Sequence, residues 1–175
     1  MLIRYATRKD AQDIARIHVE AWRSGYKGIM PDEYLKSLSV KEKTRQWDEA
    51  LATKGPGINR VVVLNGVISG FCVYGPARDD DLSNENAGEL VALNISPDCW
   101  GQGLGTELAK QTVKSAHHYQ WRSLYLWVLK ENTRARRLYE QMGFSRQGRE
   151  KFTTQLTGHE LHEIRYVRQI PADSY

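Results

Sequence analysis

The chain has 175 residues, 25 of them Lys or Arg and 21 Asp or Glu, for a formal charge of +4. That length suits one domain, able to bury roughly 70% of its extended surface without disulfide or metal staples. A mean hydropathy of −0.59 and a longest apolar run of six residues, Leu124–Leu129, exclude a bilayer-spanning helix of about 20 apolar residues, and the composition excludes collagen-like, disulfide-scaffold and disordered chains.

Residues 2–6 read as a short strand. Ile14, Ile17, His18, Ala21 and Trp22 then recur at helical spacing until Ser24-Gly25 breaks the pattern. Tyr26–Pro31 reads as a loop, followed by two short helices around Asp32–Leu38 and from Lys41 to Thr53. The runs Val61–Leu64 and Val67–Tyr74 around Asn65-Gly66 predict a hairpin, because Asn-Gly tolerates the positive φ of a two-residue turn. Arg78–Glu89, with Asp79, Asp80, Asp81, Glu85 and Glu89, is expected to be an exposed loop, and Leu90–Ile95 a strand. Gly103–Tyr119 carries Leu104, Leu108, Thr112 and Ala116 on one helical stripe. Leu124–Leu129, continuously apolar, predicts a strand buried on both faces. Asn132 can cap a helix with Ala135, Leu138, Tyr139 and Met142 on one face, closed by Gly143, and two strands follow at 146–156 and 161–168 around a turn near Gly158. A hairpin beside a strand–helix–strand passage calls for a mixed, partly antiparallel central sheet with flanking helices, an α/β fold. One domain over residues 1–170 with a short tail at 171–175 is expected.

Cys72 and Cys99 lack a CxxC partner, and His159 and His162 lack a third ligand nearby, so free thiols and no metal site are expected. The N-terminus has no basic segment followed by a long apolar one, and a cytoplasmic location without membrane association follows as the default. Between Lys130 and Lys151, seven basic residues face three acidic ones, so this segment alone carries a charge equal to the whole chain's excess. An anionic ligand suits it, but no helix-turn-helix, RNA-binding aromatic motif or zinc spacing points to nucleic acid.

Two segments carry chemistry. In Leu93-Asn94-Ile95-Ser96-Pro97-Asp98-Cys99-Trp100-Gly101-Gln102-Gly103-Leu104-Gly105-Thr106, a strand ends and three glycines alternate into a helix start. Such glycines let main-chain N–H groups converge on an anion while the helix terminus adds partial positive charge. A dinucleotide fingerprint fails at Thr106, and no P-loop occurs. The second is Asn132-Thr133-Arg134-Ala135-Arg136-Arg137-Leu138-Tyr139-Glu140-Gln141-Met142-Gly143-Phe144. By itself Tyr139 there is a half-buried core tyrosine and the arginines are a solvated face.

Together and in this order, the two segments resemble the GNAT superfamily of N-acetyltransferases. His18-x-x-x-Trp22-x-x-x-Tyr26-x-Gly28 and Glu163-x-x-Tyr166 are similar to members acting on small amines or peptide N-termini, while Trp100 stands where the family usually carries Gln or Arg. The resemblance implies an acyl-CoA N-acyltransferase-like fold, with acetyl-CoA as cosubstrate. Its pyrophosphate would lie on the N–H groups of Gln102, Gly103, Leu104, Gly105 and Thr106. Its pantetheine would run along Leu93, Asn94 and Ile95 in a splay between the 90–96 and 124–129 strands. Asn132 would touch the pantetheine and Arg134 and Arg137 the nucleotide end; Arg136 is either a further contact or plain surface.

Chemistry, by the same resemblance, would be direct transfer to a primary amine in a ternary complex, with Tyr139 as general acid toward the thiolate. Glu89 is the candidate base through water, or a solvated strand-end carboxylate. Main-chain N–H groups near Leu93–Ile95 would stabilise oxyanion charge. Trp22, Tyr26 and Met30 would wall the acceptor pocket, with the 78–89 loop and the 152–162 turn. Asp79–Asp81 are expected to keep a loop solvated rather than steer an amine. The partner is thus a small-molecule amine or peptide N-terminus, with a homodimer common among look-alikes. A non-catalytic acyl-CoA-binding regulatory module, in which Tyr139 only packs, is the alternative.

Overall fold

The computed structural model describes residues 1–82 and 86–171. Glu85 of the acidic segment and residues 172–175 of the expected tail lie outside the described residues. The elements are β1 (Leu2–Tyr5), α1 (Ala11–Gly25), α2 (Asp32–Ser37), α3 (Val40–Ala52), β2 (Ile58–Leu64), β3 (Val67–Pro76), β4 (Ala87–Ile95), α4 (Leu104–His118), β5 (Ser123–Leu129), α5 (Thr133–Gln141), β6 (Ser145–Thr153) and β7 (Leu161–Gln169). The seven strands are ordered β1-β2-β3-β4-β5-β7-β6. Pairing is antiparallel for β1–β2, β5–β7 and β6–β7 and parallel for β4–β5. The expected mixed α/β architecture is therefore present. The residues fall into two compact units, Met1–Val73 with Ala92–Leu108, and Tyr74–Val91 with the chain from Ala109 onward.

In the first unit, Ile14 and Ile17 of α1 pack with Val61, Ile68 and Phe71, and Trp47 and Leu51 of α3 close over the same cluster. The helical spacing of the apolar residues in α1 thus meets the strands that the hairpin builds. Asn65 and Gly66 have φ of 50° and 82°, the two positive values that a tight turn between β2 and β3 demands. Ahead of α1, Asp10 is buried, accepts from the Thr7 N–H, and takes both nitrogens of Arg4. That guanidinium holds the Asp10 carboxyl down at about 2, so the strand-to-helix corner keeps its charge pair through the physiological range.

In the second unit, Leu82, Ala87, Tyr125 and Val167 form the buried cluster, with Ala77 and Trp127 against it. β5 pairs with β7 along all seven of its residues, from Ser123↔Gln169 to Leu129↔Glu163, whereas its parallel register with β4 runs over Ala87↔Ser123, Gly88↔Leu124 and Glu89↔Tyr125. β4 starts at Ala87 rather than at the expected Leu90, because Ala87, Gly88 and Glu89 join this register. The end of the supposed loop is thereby a buried strand, a correction to the sequence expectation. β6 ends at Thr153, short of the expected 156, and has a register shift between Arg146 and Glu150.

Gly88 is where two chain segments come closest. A Cβ there would lie 2.1, 2.4 and 2.6 Å from ring atoms of the buried Trp121. The indole therefore rests on bare main chain, and a methyl group would have to push it or the strand aside. Gly88→Ala is expected to lower the unfolding free energy by about 1–3 kcal/mol, the usual range for overpacking, read as a shift of the denaturant midpoint.

Candidate active site

The first unit holds the glycine segment. Beyond β4 the chain makes a short turn, and the Trp100 indole N–H donates to the carbonyl of Ile95 at 2.8 Å, holding the turn against the strand end. Gly101 and Gly103 have φ of 78° and 80°, so left-handed residues flank Gln102. A Cβ built on either would meet no heavy atom within 4 Å beyond its chain neighbours. The left-handed conformation thus favours glycine at both positions, and the space in front of them is open. The main chain of Glu107 donates to Gly103 O at 3.1 Å, so α-helical geometry leaves the N–H groups of Leu104, Gly105 and Thr106 without an intrahelical acceptor. Leu104 has its side chain in the core, and only its amide can serve a ligand. Gln102, Gly103, Leu104, Gly105 and Thr106 therefore present a continuous run of main-chain amides at the positive end of α4. Leu93 and Asn94 are half-buried and Ile95 buried along β4.

The three residues expected to wall an acceptor pocket also come together. Trp22 and Tyr26 meet edge to face with centroids 5.3 Å apart, and Met30, buried, donates its main-chain N–H to Tyr26 O at 2.9 Å. The stack continues through Tyr34 and His18, at 6.5 and 4.8 Å from Trp22. From His18 it passes to Trp47 and Phe71. Tyr34, Trp47 and Phe71 were not singled out from sequence; their separation along the chain hides the grouping.

In the second unit, Asn132 caps α5, its side-chain oxygen accepting from Ala135 N at 3.1 Å. Tyr139 is 8% exposed and packs edge-on against Phe144, whose N–H closes the helix end on Tyr139 O. Arg134 and Arg137 are exposed on this helix. Arg136 is committed inside the unit: it donates to Tyr166 Oη at 3.0 Å and to Lys130 O at 2.9 Å, while the Tyr166 hydroxyl donates to Glu140 at 2.6 Å.

Glu89 differs most from a solvated strand-end carboxylate. It is 4% exposed. Arg78 grips it with two parallel bonds of 2.7 and 2.8 Å, and the Tyr125 hydroxyl donates to it at 2.9 Å. The same phenol oxygen accepts the main-chain N–H groups of Arg78 and Asp79. Burial pushes Tyr125 up to about 12, so it remains a hydroxyl donor. The expectation of a merely solvated acidic loop is also corrected. Arg165, its side chain 3% exposed, donates to both oxygens of Asp81, to Asp79 and to Gln147. The Trp127 indole donates to Asp79 at 3.0 Å. A buried arginine in β7 requires carboxylates, and the acidic run supplies them. The sequence signal is thin: Arg165 stands between Ile164 and Tyr166, but Glu163 and Arg168 are charged close by on either side. Among the described residues, no group of three His, Cys, Asp or Glu is placed to hold a metal ion, and no helix is long and apolar enough to cross a membrane.

The chain is similar to known proteins. Residues 12–144 match the Acetyltransferase (GNAT) family. The chain is 31% identical to YuaI, an uncharacterized N-acetyltransferase of Bacillus subtilis (strain 168), over 74% of this chain and 72% of that protein. Among solved structures, the PaiA N-acetyltransferase of Thermoplasma acidophilum, in complex with coenzyme A, aligns with a TM-score of 0.73 at 17% identity, covering 96% of this chain and 98% of that one. YncA of Salmonella typhimurium, with its cofactor acetyl-CoA, aligns with a TM-score of 0.72 at 21% identity, covering 100% and 96%.

His18 carries a pH dependence of its own. The Trp47 indole N–H donates to its Nδ1 at 3.2 Å, and an indole nitrogen only donates. Nδ1 therefore holds a lone pair, and the proton of the neutral ring is on Nε2, which is buried without a hydrogen-bond partner among the described residues. Burial, with Lys43 adding to it, pulls the ring from its ordinary 6.5 down to about 4. Between those values the unfolded chain takes up a proton that the folded ring refuses, so stability falls as pH drops from about 6.5 to about 4. The loss from this group reaches at most about 3 kcal/mol. His18→Gln, whose amide oxygen can still accept from Trp47, is expected to remove that part of the acid sensitivity, measured by denaturant titrations across the window.

Proposed function

As a member of the GNAT acetyltransferase family the chain is an N-acetyltransferase, and we propose that it moves the acetyl group of acetyl-CoA directly to a primary amine in a ternary complex, with residues 1–170 acting as one catalytic domain in the cytoplasm. The observation that carries this reading is the start of α4. Two left-handed glycines, open space before them and unspent main-chain N–H groups make a seat for a diphosphate. Coenzyme A and acetyl-CoA in the complexes of PaiA and YncA support the same choice of cosubstrate.

Acetyl-CoA supplies the activated acyl group as cosubstrate. The amides of Gln102, Gly103, Leu104, Gly105 and Thr106 bind its diphosphate, and the main chain of Leu93, Asn94 and Ile95 orients the pantetheine. Asn132, with its oxygen used in the helix cap, offers its amide N–H₂ to the same arm. Arg134 and Arg137, exposed on α5, supply positive charge toward the nucleotide phosphates. The Tyr139 hydroxyl hands a proton to the departing sulfur. Its burial against Phe144 limits the ring to few orientations, as an acid that must meet one atom requires. Trp22, Tyr26 and Met30 hold the acceptor. The neutral amine is the attacking form, and an alkylamine is mostly protonated at pH 7, so a proton must leave. Glu89, a carboxylate fixed in β4, accepts it.

Purified protein given acetyl-CoA and a panel of primary amines is expected to release free thiol. Tyr139→Phe should lower kcat about 100-fold, the lower end for loss of a general acid, with the acetyl-CoA dissociation constant from calorimetry unchanged. Gly103→Val, which places a branched residue at positive φ, should instead weaken acetyl-CoA binding about tenfold with the turnover of saturated enzyme retained. Heatless titration at millimolar acetyl-CoA in folded protein would sink the reading.

A further inference from the structure

The buried carboxylate of β4 and its arginine are unequal partners. The Glu89 side chain is 6% exposed, whereas that of Arg78 is 65% exposed. Glu89 is held from behind by the strand register with Tyr125 and by the Tyr125 hydroxyl at 2.9 Å. Arg78 follows β3 and reaches the carboxylate from the solvent side, through Nε and Nη2. The main-chain N–H groups of Arg78 and Asp79 are anchored separately, on the Tyr125 oxygen at 2.9 and 3.0 Å. The guanidinium can therefore leave without unseating the segment that carries it. An exposed cation gives up little on returning to water, but a buried carboxylate left without a cation is strongly disfavoured. The arrangement is a fixed anion with an exchangeable positive lid.

We propose that Arg78 occupies the place of the acceptor's ammonium group, and that acceptors of this enzyme are alkylammonium compounds that bind Glu89 by displacing the arginine. The inference deepens the acetyltransferase reading above and rests on its placing the acceptor amine at Glu89. It also reconciles that role with the geometry, because Arg78 and Tyr125 already occupy most of the roughly four acceptor sites of the carboxylate, with the guanidinium on its solvent side. An alkylammonium brings the same charge and three N–H donors in a smaller volume, and unlike a guanidinium it can surrender a proton once seated. Arylamines, uncharged near neutral pH, cannot make the exchange. The carboxylate thus selects acceptors by charge before any chemistry begins.

The test compares native enzyme with Arg78→Ala and Arg78→Lys. With the competing cation removed, KM for n-propylamine is expected to fall about tenfold in Arg78→Ala and to stay near the native value in Arg78→Lys, which keeps a tethered cation. KM for aniline should not fall in either. A catalysis-free arm uses thermal melting: Arg78→Ala should melt below the native protein and recover several degrees with millimolar n-propylammonium or methylguanidinium, while the native protein does not respond. Arg78→Gln repeats both arms if the alanine variant does not fold. Equal KM for propylamine in native and alanine proteins, or no melting response of the variants to either cation, overturns the inference. Absence of acetyl transfer with an intact melting response would count against the enzymatic reading instead and leave the cation exchange standing.

Discussion

Two charges taken out of water organise the second unit. Glu89 and Arg165 lie on β4 and β7, with β5 between them, and each is almost wholly buried. Neither can stand alone there, since breaking a buried pair costs roughly 3–5 kcal/mol. The segment after β3 satisfies both: Arg78 answers Glu89, and Asp79 with Asp81 answers Arg165. Tyr125 and Trp127 of the intervening strand complete the arrangement, one bridging main chain to carboxylate, the other donating to Asp79. A stretch that would dissolve into solvent on composition alone is thereby held to the sheet residue by residue.

The first unit handles charge with the main chain. At the start of α4 it aligns main-chain amides, whose orientation costs nothing further once the helix is folded and whose field does not depend on side-chain rotamers. The glycines are conditions for that geometry rather than ligands. The same unit contains a chain of aromatic rings from Tyr26 through Trp22 and His18 to Phe71. Its one imidazole is kept neutral by burial, so the stack behaves as an apolar wall with a single inward N–H.

Much of this was legible in the residues. The hairpin at Asn65-Gly66, the helix opening after Gly103, the cap at Asn132 and the stop at Gly143 all rest on local conformational preference, and the structure has them within a few positions. The start of β4 was not legible. Ala87, Gly88 and Glu89 carry no strand signal of their own; they are extended because Ser123, Leu124 and Tyr125 pair with them and Trp121 needs a glycine beneath it. The acidic run was misjudged for a related reason. A carboxylate in a polar segment looks solvated until a buried arginine more than 80 residues away is brought to it.

What the sequence by itself determined was the alternation of elements and the chemistry that local spacing encodes: glycines entering a helix, a capped basic helix, and a tyrosine at its buried face. Those follow from dihedral preferences and periodicity, which act over a few residues. Only the tertiary structure decided which charges are paired and which imidazole nitrogen bears the proton. It also decided that Glu89 is buried beneath the Arg78 guanidinium, because desolvation and partner geometry exist only once distant strands have been laid side by side.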